Sequence, residues 1–272
     1  MTRRPAAGKI NLALVVGPTR PDGKHELATV YQRIALCDRV SLSSAPRLAV
    51  TGFEEDTLVR QALEELALAA GVEPRWLARI DKRLPVAAGL GGGSSDAATA
   101  LRLANATLPE PLAAAELEVL AARLGADVPF FLRNGPHLGT GDGTELAPLE
   151  LPQDYWIVLV LPNGVDKGST AAVYRAFDDR DGERGFEARR HVLLDGLDSV
   201  RRPRDLALLP RNDLASSPLA AELESLGAFR ADVTGAGPTV YGLFLHRGPA
   251  EAAKKAVGSR GRVWLTAPVW YV

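Results

Sequence analysis

Pro85-Val86-Ala87-Ala88-Gly89-Leu90-Gly91-Gly92-Gly93-Ser94-Ser95-Asp96 runs straight into an alanine-rich helical stretch, Ala97 to Asn105. Glycine has no Cβ, so this backbone can turn through positive φ and come close to a ligand. The first N–H groups of the helix that follows lack intrahelical partners, and the positive end of its dipole favours an anion. The stretch therefore has the makings of a phosphate cradle. It fits neither common glycine motif. A Walker A loop needs Lys and then Ser or Thr after its last glycine, where this chain has Ser94, Ser95 and Asp96. In the dinucleotide fingerprint Gly89 and Gly91 have the first spacing, but Ser94 stands in the third glycine's place. With no lysine in the loop, backbone and hydroxyl donors must hold the phosphates, and positive charge must come from elsewhere. The alternative is a tight turn with a Ser or Asp cap. Asp96, with Ser95, is then either such a cap or a contributor to a metal site.

The bulk of the chain narrows the function. With 272 residues, 46% of them hydrophobic, it can bury a sizeable core, and two domains are expected. A net charge of −1 supplies no basic field for nucleic acid, and Arg201-Arg202-Pro203-Arg204 reads as a solvated loop. Cys37 is the only cysteine, which excludes an intramolecular disulfide and a cysteine zinc site and fits a reducing cytoplasm. The opening Met1-Thr2-Arg3-Arg4-Pro5 does not lead into a signal-peptide core, and no apolar run is long enough to cross a bilayer. The expectation is a soluble cytoplasmic protein, monomeric or weakly dimeric, with a small-molecule partner, no nucleic acid and no membrane.

Outward from the glycine run, Ile10 to Val16 predicts a strand and Gly17 to Gly23 a loop; Val30 to Leu42 predicts one or two further strands. Asp56 and Thr57 are placed to cap a helix in which Leu58, Ala62, Leu66, Ala69 and Ala70 recur at helical spacing. A further helix spans about Ala113 to Leu124 and ends at Gly125. After a boundary near Glu150 come a strand at Trp156 to Leu161, a helix at Ala171 to Phe177 and a polar loop from Asp178 to Arg190. The chain closes with helices at Leu219 to Leu226 and Ala250 to Val257 and strands at Val240 to Leu245 and Arg262 to Thr266. Strands and helices in this order predict an α+β protein, residues 1–150 forming one domain and 151–272 a small sandwich.

Four other segments bear chemistry. Lys9 and Asn11 are two apart and so share one face of a strand, either an exposed face or a paired ammonium and amide. In Gly125-Ala126-Asp127-Val128-Pro129-Phe130-Phe131 one carboxylate sits among apolar residues, as a cap or as a buried acid with a task. Pairing it with Lys9 would remove the cost of burial and keep Asp127 ionised, able to accept a proton. Thr234-Gly235-Ala236-Gly237-Pro238-Thr239 is a second glycine turn before a strand, and His25 in Asp22-Gly23-Lys24-His25-Glu26-Leu27 is a surface histidine or a ligand contact.

Together with Ala7-Gly8-Lys9-Ile10-Asn11-Leu12 and Arg211-Asn212-Asp213-Leu214, these segments resemble the GHMP kinase superfamily along nearly the whole chain. The Lys9/Asn11 strand, His25 and the Gly-Ala-Asp-Val-Pro segment point within it to kinases of a cytidylyl alcohol. The resemblance implies a two-domain α+β GHMP kinase fold, with an N-terminal ATP-binding α/β domain (1–150), a C-terminal α/β sandwich (151–272) and a cleft between them. It implies ATP and Mg2+ as cofactors and phosphoryl transfer to the tertiary hydroxyl of a cytidylyl methylerythritol, a step of the non-mevalonate isoprenoid route. Lys9 and Asp127 become the catalytic pair; Gly89, Leu90, Gly91, Gly92, Gly93, Ser94 and Ser95 hold the ATP phosphates; Asn11, His25, Thr170, Tyr174, Gly235 and Gly237 hold the substrate. His25 would read the cytosine edge and Tyr174 would stack on its ring. The superfamily members of this kind commonly carry Tyr before the histidine, where this chain has Lys24. No residue is assigned to the metal. A homoserine- or mevalonate-type kinase, or a non-catalytic nucleotide-binding protein on the same scaffold, are the alternatives.

Overall fold

The computed structural model describes residues 1–53, 57–165 and 168–270. The expected Asp56 cap and the Thr57 side chain lie outside the described residues. The framework is one long antiparallel hairpin, β1 (Thr2–Thr19) with β2 (His25–Ser44). Side chains alternate across a strand, and here both faces are buried. Tyr31, Val40 and Leu42 of β2 enter one apolar cluster, whereas Val30 and Ile34 enter another on the opposite face. That double burial explains the unbroken apolar run from Ile10 to Val16. The strand extends beyond that run at both ends: Thr2 to Pro5 are exposed but pair with Arg39 to Leu42. Ladder hydrogen bonds, which leave no hydropathy signature, hold this extension. β2 is likewise a single strand of 20 residues.

The far edge of β2 is shared between two strands. β4 (Trp76–Asp81) pairs with residues 39–44 and β5 (His137–Gly141) with residues 27–31. β3 (Ala49–Thr51) and β6 (Glu145–Pro148) complete this six-stranded sheet. Against the Tyr31 face pack α1 (Thr57–Ala69), α2 (Gly92–Asn105), α3 (Ala114–Leu124) and the single turn α4 (Val128–Phe131), through residues such as Leu63, Leu66, Leu101, Leu120 and Phe130.

A second, antiparallel sheet lies against the other face, in the order β10 (Gly261–Thr266), β7 (Trp156–Pro162), β9 (Val240–Phe244), β8 (Arg230–Val233). β7 again alternates: Ile157 and Leu159 join the cluster under the long hairpin, while Val158 and Val160 pack on the outer side with Leu223 of α7 (Pro218–Ser225) and Ala250 and Ala253 of α8 (Arg247–Ala256). Between β7 and β8, ahead of α7, come α5 (Thr170–Asp178), α6 (Phe186–Ser199) and a 3-10 turn at Pro203–Leu208, which starts inside the basic stretch expected as a solvated loop while Arg201, Arg202 and Arg204 stay exposed. The polar segment 178–190 was expected to be loop throughout, yet α6 starts inside it. Only Phe186, Leu193 and Gly196 of that helix are buried, too narrow an apolar stripe to show in the sequence.

Two clips join the sheets. Asp213 N–H donates to the Leu14 carbonyl at 2.9 Å, and the Asp213 carboxylate accepts from Val16 N–H and Arg189 Nε, each at 2.9 Å. Near the chain's end, Ala35 N–H donates to the Ala267 carbonyl at 2.8 Å and Val269 N–H to the Arg33 carbonyl at 3.1 Å. Among the described residues no helix is long and apolar enough to cross a membrane.

Candidate active site

The glycine run crosses the middle of the molecule. Gly91, at φ 66°, is the N-cap of α2, and the first helical bond runs from Ser95 N–H to the Gly91 carbonyl at 2.9 Å. The N–H groups of Gly92, Gly93 and Ser94 thus stand outside the helical ladder at the positive end of the dipole. The helix begins at Gly92, five residues before Ala97, so the Gly-Ser residues are its first turn and not a separate loop. Gly89, at φ 82°, lies flat on the second glycine turn: a Cβ there would be 2.3 Å from the Thr234 carbonyl oxygen. Thr234 Oγ1 spans the two turns, 3.3 Å from the Gly89 carbonyl and accepting from Asn11 N–H at 3.1 Å.

Lys9 and Asn11 leave β1 on one face, as their spacing predicts. Thr29 Oγ1 donates to the Ala13 carbonyl at 2.8 Å and so accepts from Asn11 Nδ2, also at 2.8 Å. This turns the amide oxygen of Asn11 toward Lys9, whose Nζ donates to it at 2.8 Å. The same ammonium is 3.3 Å from Asp127 Oδ2 and 5.4 Å from the centre of the Tyr31 ring. Asp127 is the N-cap residue of α4, but its carboxylate makes no capping bond and is 31% exposed, so it is not the buried acid the apolar neighbours suggested. It faces solvent across a cavity of about 710 Å³ that Lys9, Gly91 and Ser94 also line. Burial, and next the Asp127 charge, push the Tyr31 phenol well up; the same two causes push Tyr174 up to about 12. Both rings therefore stay neutral at physiological pH.

α4 is held from behind. Arg33, 1% exposed, donates through Nη2 to the carbonyls of Phe130, at 2.7 Å, and Arg133, and its guanidinium lies over the rings of Phe130 and Phe131. Burial, followed by the charge of Arg102, lowers the Arg33 pKa to about 9. Arg102 adds a bond to the Leu132 carbonyl. Two cations thus satisfy the carbonyl end of the turn that carries Asp127.

At the other end of the cavity His25 Nε2 is 2.7 Å from Asp178 Oδ1, and its ring lies 4.8 Å from that of Tyr174. Lys24 pairs with Asp142 and so brings a charge, not a second ring, to this wall. Burial opposes ionisation of Asp142, but the hydrogen bonds from Lys24 and Thr144 and the Lys24 charge together outweigh it and lower the pKa.

Of the residues expected from sequence, Lys9, Asn11, His25, Gly89, Gly91, Ser94, Asp127, Thr170, Tyr174 and Gly235 line this one cavity. Leu90, Gly92, Gly93, Ser95 and Gly237 do not: Leu90 and Ser95 are buried behind it, at 1% and 2% exposure. Asp96 is neither cap nor open metal ligand. It is fully buried within α2, and Lys82 Nζ reaches both Asp96 Oδ2 and Asp38 Oδ2 at 2.7 Å. Burial opposes the Lys82 charge, but Asp96 and then Asp38 outweigh it and raise the pKa. A Cβ on Gly92 would stand 3.1 Å from Lys82 Nζ, but that ammonium is matched by two buried carboxylates and lies off the cavity wall. Lys82, Asp38, Tyr31, Asp142 and Asp178 escape sequence reading because each acts through a partner distant in the chain.

Comparison with known proteins gives the family of the chain. Residues 57–135 match the family described as GHMP kinases N terminal domain, and residues 214–263 match GHMP kinases C terminal. The 4-diphosphocytidyl-2-C-methyl-D-erythritol kinase of Salinispora arenicola is 38% identical, over 91% of this chain and 84% of its own. The enzyme of that name from Syntrophotalea carbinolica is 36% identical, over 97% and 98% respectively. A crystal structure of 4-(cytidine 5'-diphospho)-2C-methyl-D-erythritol kinase superposes with a TM-score of 0.81 at 31% identity, covering 98% of this chain and 99% of the other. The Methanococcus jannaschii mevalonate kinase, 13% identical with 98% of each chain covered, shares the fold at a TM-score of 0.78.

Proposed function

Since the chain belongs to the 4-diphosphocytidyl-2-C-methyl-D-erythritol kinase family, with the two-domain α+β GHMP kinase fold that its motifs implied, we propose that it transfers the γ-phosphoryl group of ATP to the tertiary 2-hydroxyl of 4-diphosphocytidyl-2-C-methyl-D-erythritol. One observation carries the reading: Lys9 Nζ and Asp127 Oδ2, 3.3 Å apart, face the same cavity as Gly91 and Ser94 at the start of α2. Asp127 orients the hydroxyl and takes its proton as the oxygen bonds to phosphorus and ADP leaves; a positioned base of this kind contributes about 10²–10⁴-fold. Lys9, fixed by Asn11, stabilises the charge that develops on the attacking oxygen. The open N–H groups of the first turn of α2, which Ser94 brings to the cavity wall, hold the phosphates. The division at residue 150, the cytoplasmic location and the substrate-holding role of the His25 end belong to the same proposal.

The donor set gives magnesium no cage of its own. Among the described residues no three His, Cys, Asp or Glu converge, and Asp96 is taken up by Lys82. Magnesium then arrives as the counter-ion of the ATP substrate, held by its phosphates. The reading is tested with labelled ATP and a panel of acceptors. Phosphorylation of the cytidylyl alcohol, abolished by His25→Ala, is the expected result; turnover of homoserine or mevalonate in its place, or of no acceptor, overturns it.

A further inference from the structure

One wall of the cavity carries a hydrogen-bonded histidine and carboxylate that phosphoryl transfer does not use. His25 Nε2 lies 2.7 Å from Asp178 Oδ1 and 3.5 Å from Thr19 Oγ1, and among the described residues the ring makes no other hydrogen bond. The imidazole is 9% exposed, packed by the Tyr174 ring at 4.8 Å and edge-on by Phe177 at 5.9 Å, while Asp178 is 48% exposed at the last residue of α5. The neighbouring ammonium of Lys24 is taken by Asp142 and does not compete for Asp178.

An ionised carboxylate only accepts hydrogen bonds, so the nitrogen facing it carries the proton. In a neutral imidazole the other nitrogen, Nδ1, is then a bare acceptor. Cytosine presents an amino group, a donor, at the ring position where uracil presents a carbonyl, an acceptor. A lone acceptor on the protein suits the first and repels the second. The reverse tautomer would invert that preference.

We propose that Asp178 is a specificity-determining positioning residue: by accepting Nε2–H of His25 it fixes the tautomer whose Nδ1 recognises the amino group of a cytosine base and discriminates against uracil. This rests on the functional reading above for the identity of the ligand, so the test is a binding measurement that needs no turnover. CDP and UDP are titrated calorimetrically into the wild-type protein and into Asp178→Ala, Asp178→Asn and Asp178→Glu, and the His25 tautomer is read from imidazole ¹⁵N shifts in the nucleotide-free protein. A selective hydrogen bond of this kind sets a preference of about tenfold or more. The wild type is expected to carry its proton on Nε2 and to favour CDP over UDP by that factor. The ratio should collapse toward one in Asp178→Ala and, because an amide can offer the ring either its oxygen or its N–H, in Asp178→Asn as well. Asp178→Glu keeps a carboxylate and should retain most of the preference, which a merely structural role would not require. A wild-type proton on Nδ1, or an unchanged CDP-to-UDP ratio in both Asp178→Ala and Asp178→Asn, overturns the proposal. Failure of the wild type to phosphorylate the cytidylyl alcohol while preferring CDP would instead overturn the functional reading.

Discussion

Replacing Gly89 by alanine should harm the protein in a way that the same change four residues later does not. At Gly89 φ is 82°, a region that costs an L residue about 1–2 kcal/mol. The new Cβ would also stand 2.3 Å from the Thr234 carbonyl oxygen and 3.1 Å from that of Gly237. Both are backbone atoms, so relief requires the second glycine turn to move away from the first, an overpacking cost of about 1–3 kcal/mol. Together these give a destabilisation of about 2–5 kcal/mol. The displacement also reaches the chemistry, because Thr234 Oγ1 bonds Asn11, and Asn11 holds Lys9. A shift of about 1 Å in a positioning group costs about 10²-fold in turnover. At Gly93, by contrast, no atom lies within 4 Å of the added Cβ and φ is not positive. Gly93→Ala should stabilise by about 0.4–1 kcal/mol through the unfolded chain. Urea unfolding at fixed pH, with turnover at saturating ATP, measures both variants. Wild-type stability and turnover in Gly89→Ala, or equal destabilisation in the two variants, would refute the contact argument.

Two further effects follow from the support of α4. Arg33→Met leaves the Phe130 and Arg133 carbonyls without their buried donor and should cost about 1–3 kcal/mol, with turnover falling as Asp127 loosens; a stability loss with unaltered turnover would show that Arg33 does not position Asp127. His137 packs edge-on to Phe130, and burial first, with the charges of Arg133 and Arg33, lowers its pKa below 6.5 although its bond to the Gly135 carbonyl works the other way. The unfolded chain therefore takes up this proton before the native one does. The stability contributed by neutral His137 is complete above pH 6.5 and declines as the pH falls below it, until the native imidazole also protonates. Urea midpoints between pH 5 and 8 should show an acid-side slope that shrinks in His137→Gln, whereas parallel curves for the two proteins would count against it.

What the sequence reveals is local. Lys9 and Asn11 share a strand face because they are two apart, and the density of glycine before Ala97 marks a helix start that can take an anion. Asp127 stands out as a lone carboxylate among apolar residues. What stays hidden depends on partners far along the chain. Asp38 and Lys82 are 44 residues apart and meet Asp96 only when β4 and α2 come together. Asp178 reads as the first residue of a polar loop until α5 carries it against His25. The length of β1 is hidden for another reason: its exposed N-terminal residues are held by backbone pairing, to which side-chain hydropathy is blind.

Single-turnover phosphorylation of the cytidylyl alcohol by Asp127→Asn, measured beside ATP affinity, tests the convergence of Lys9, Asp127 and the glycine run. Turnover reduced about 10²–10⁴-fold with ATP affinity largely intact is the expected result. Wild-type turnover in that variant would remove Asp127 from the chemistry and contradict the account.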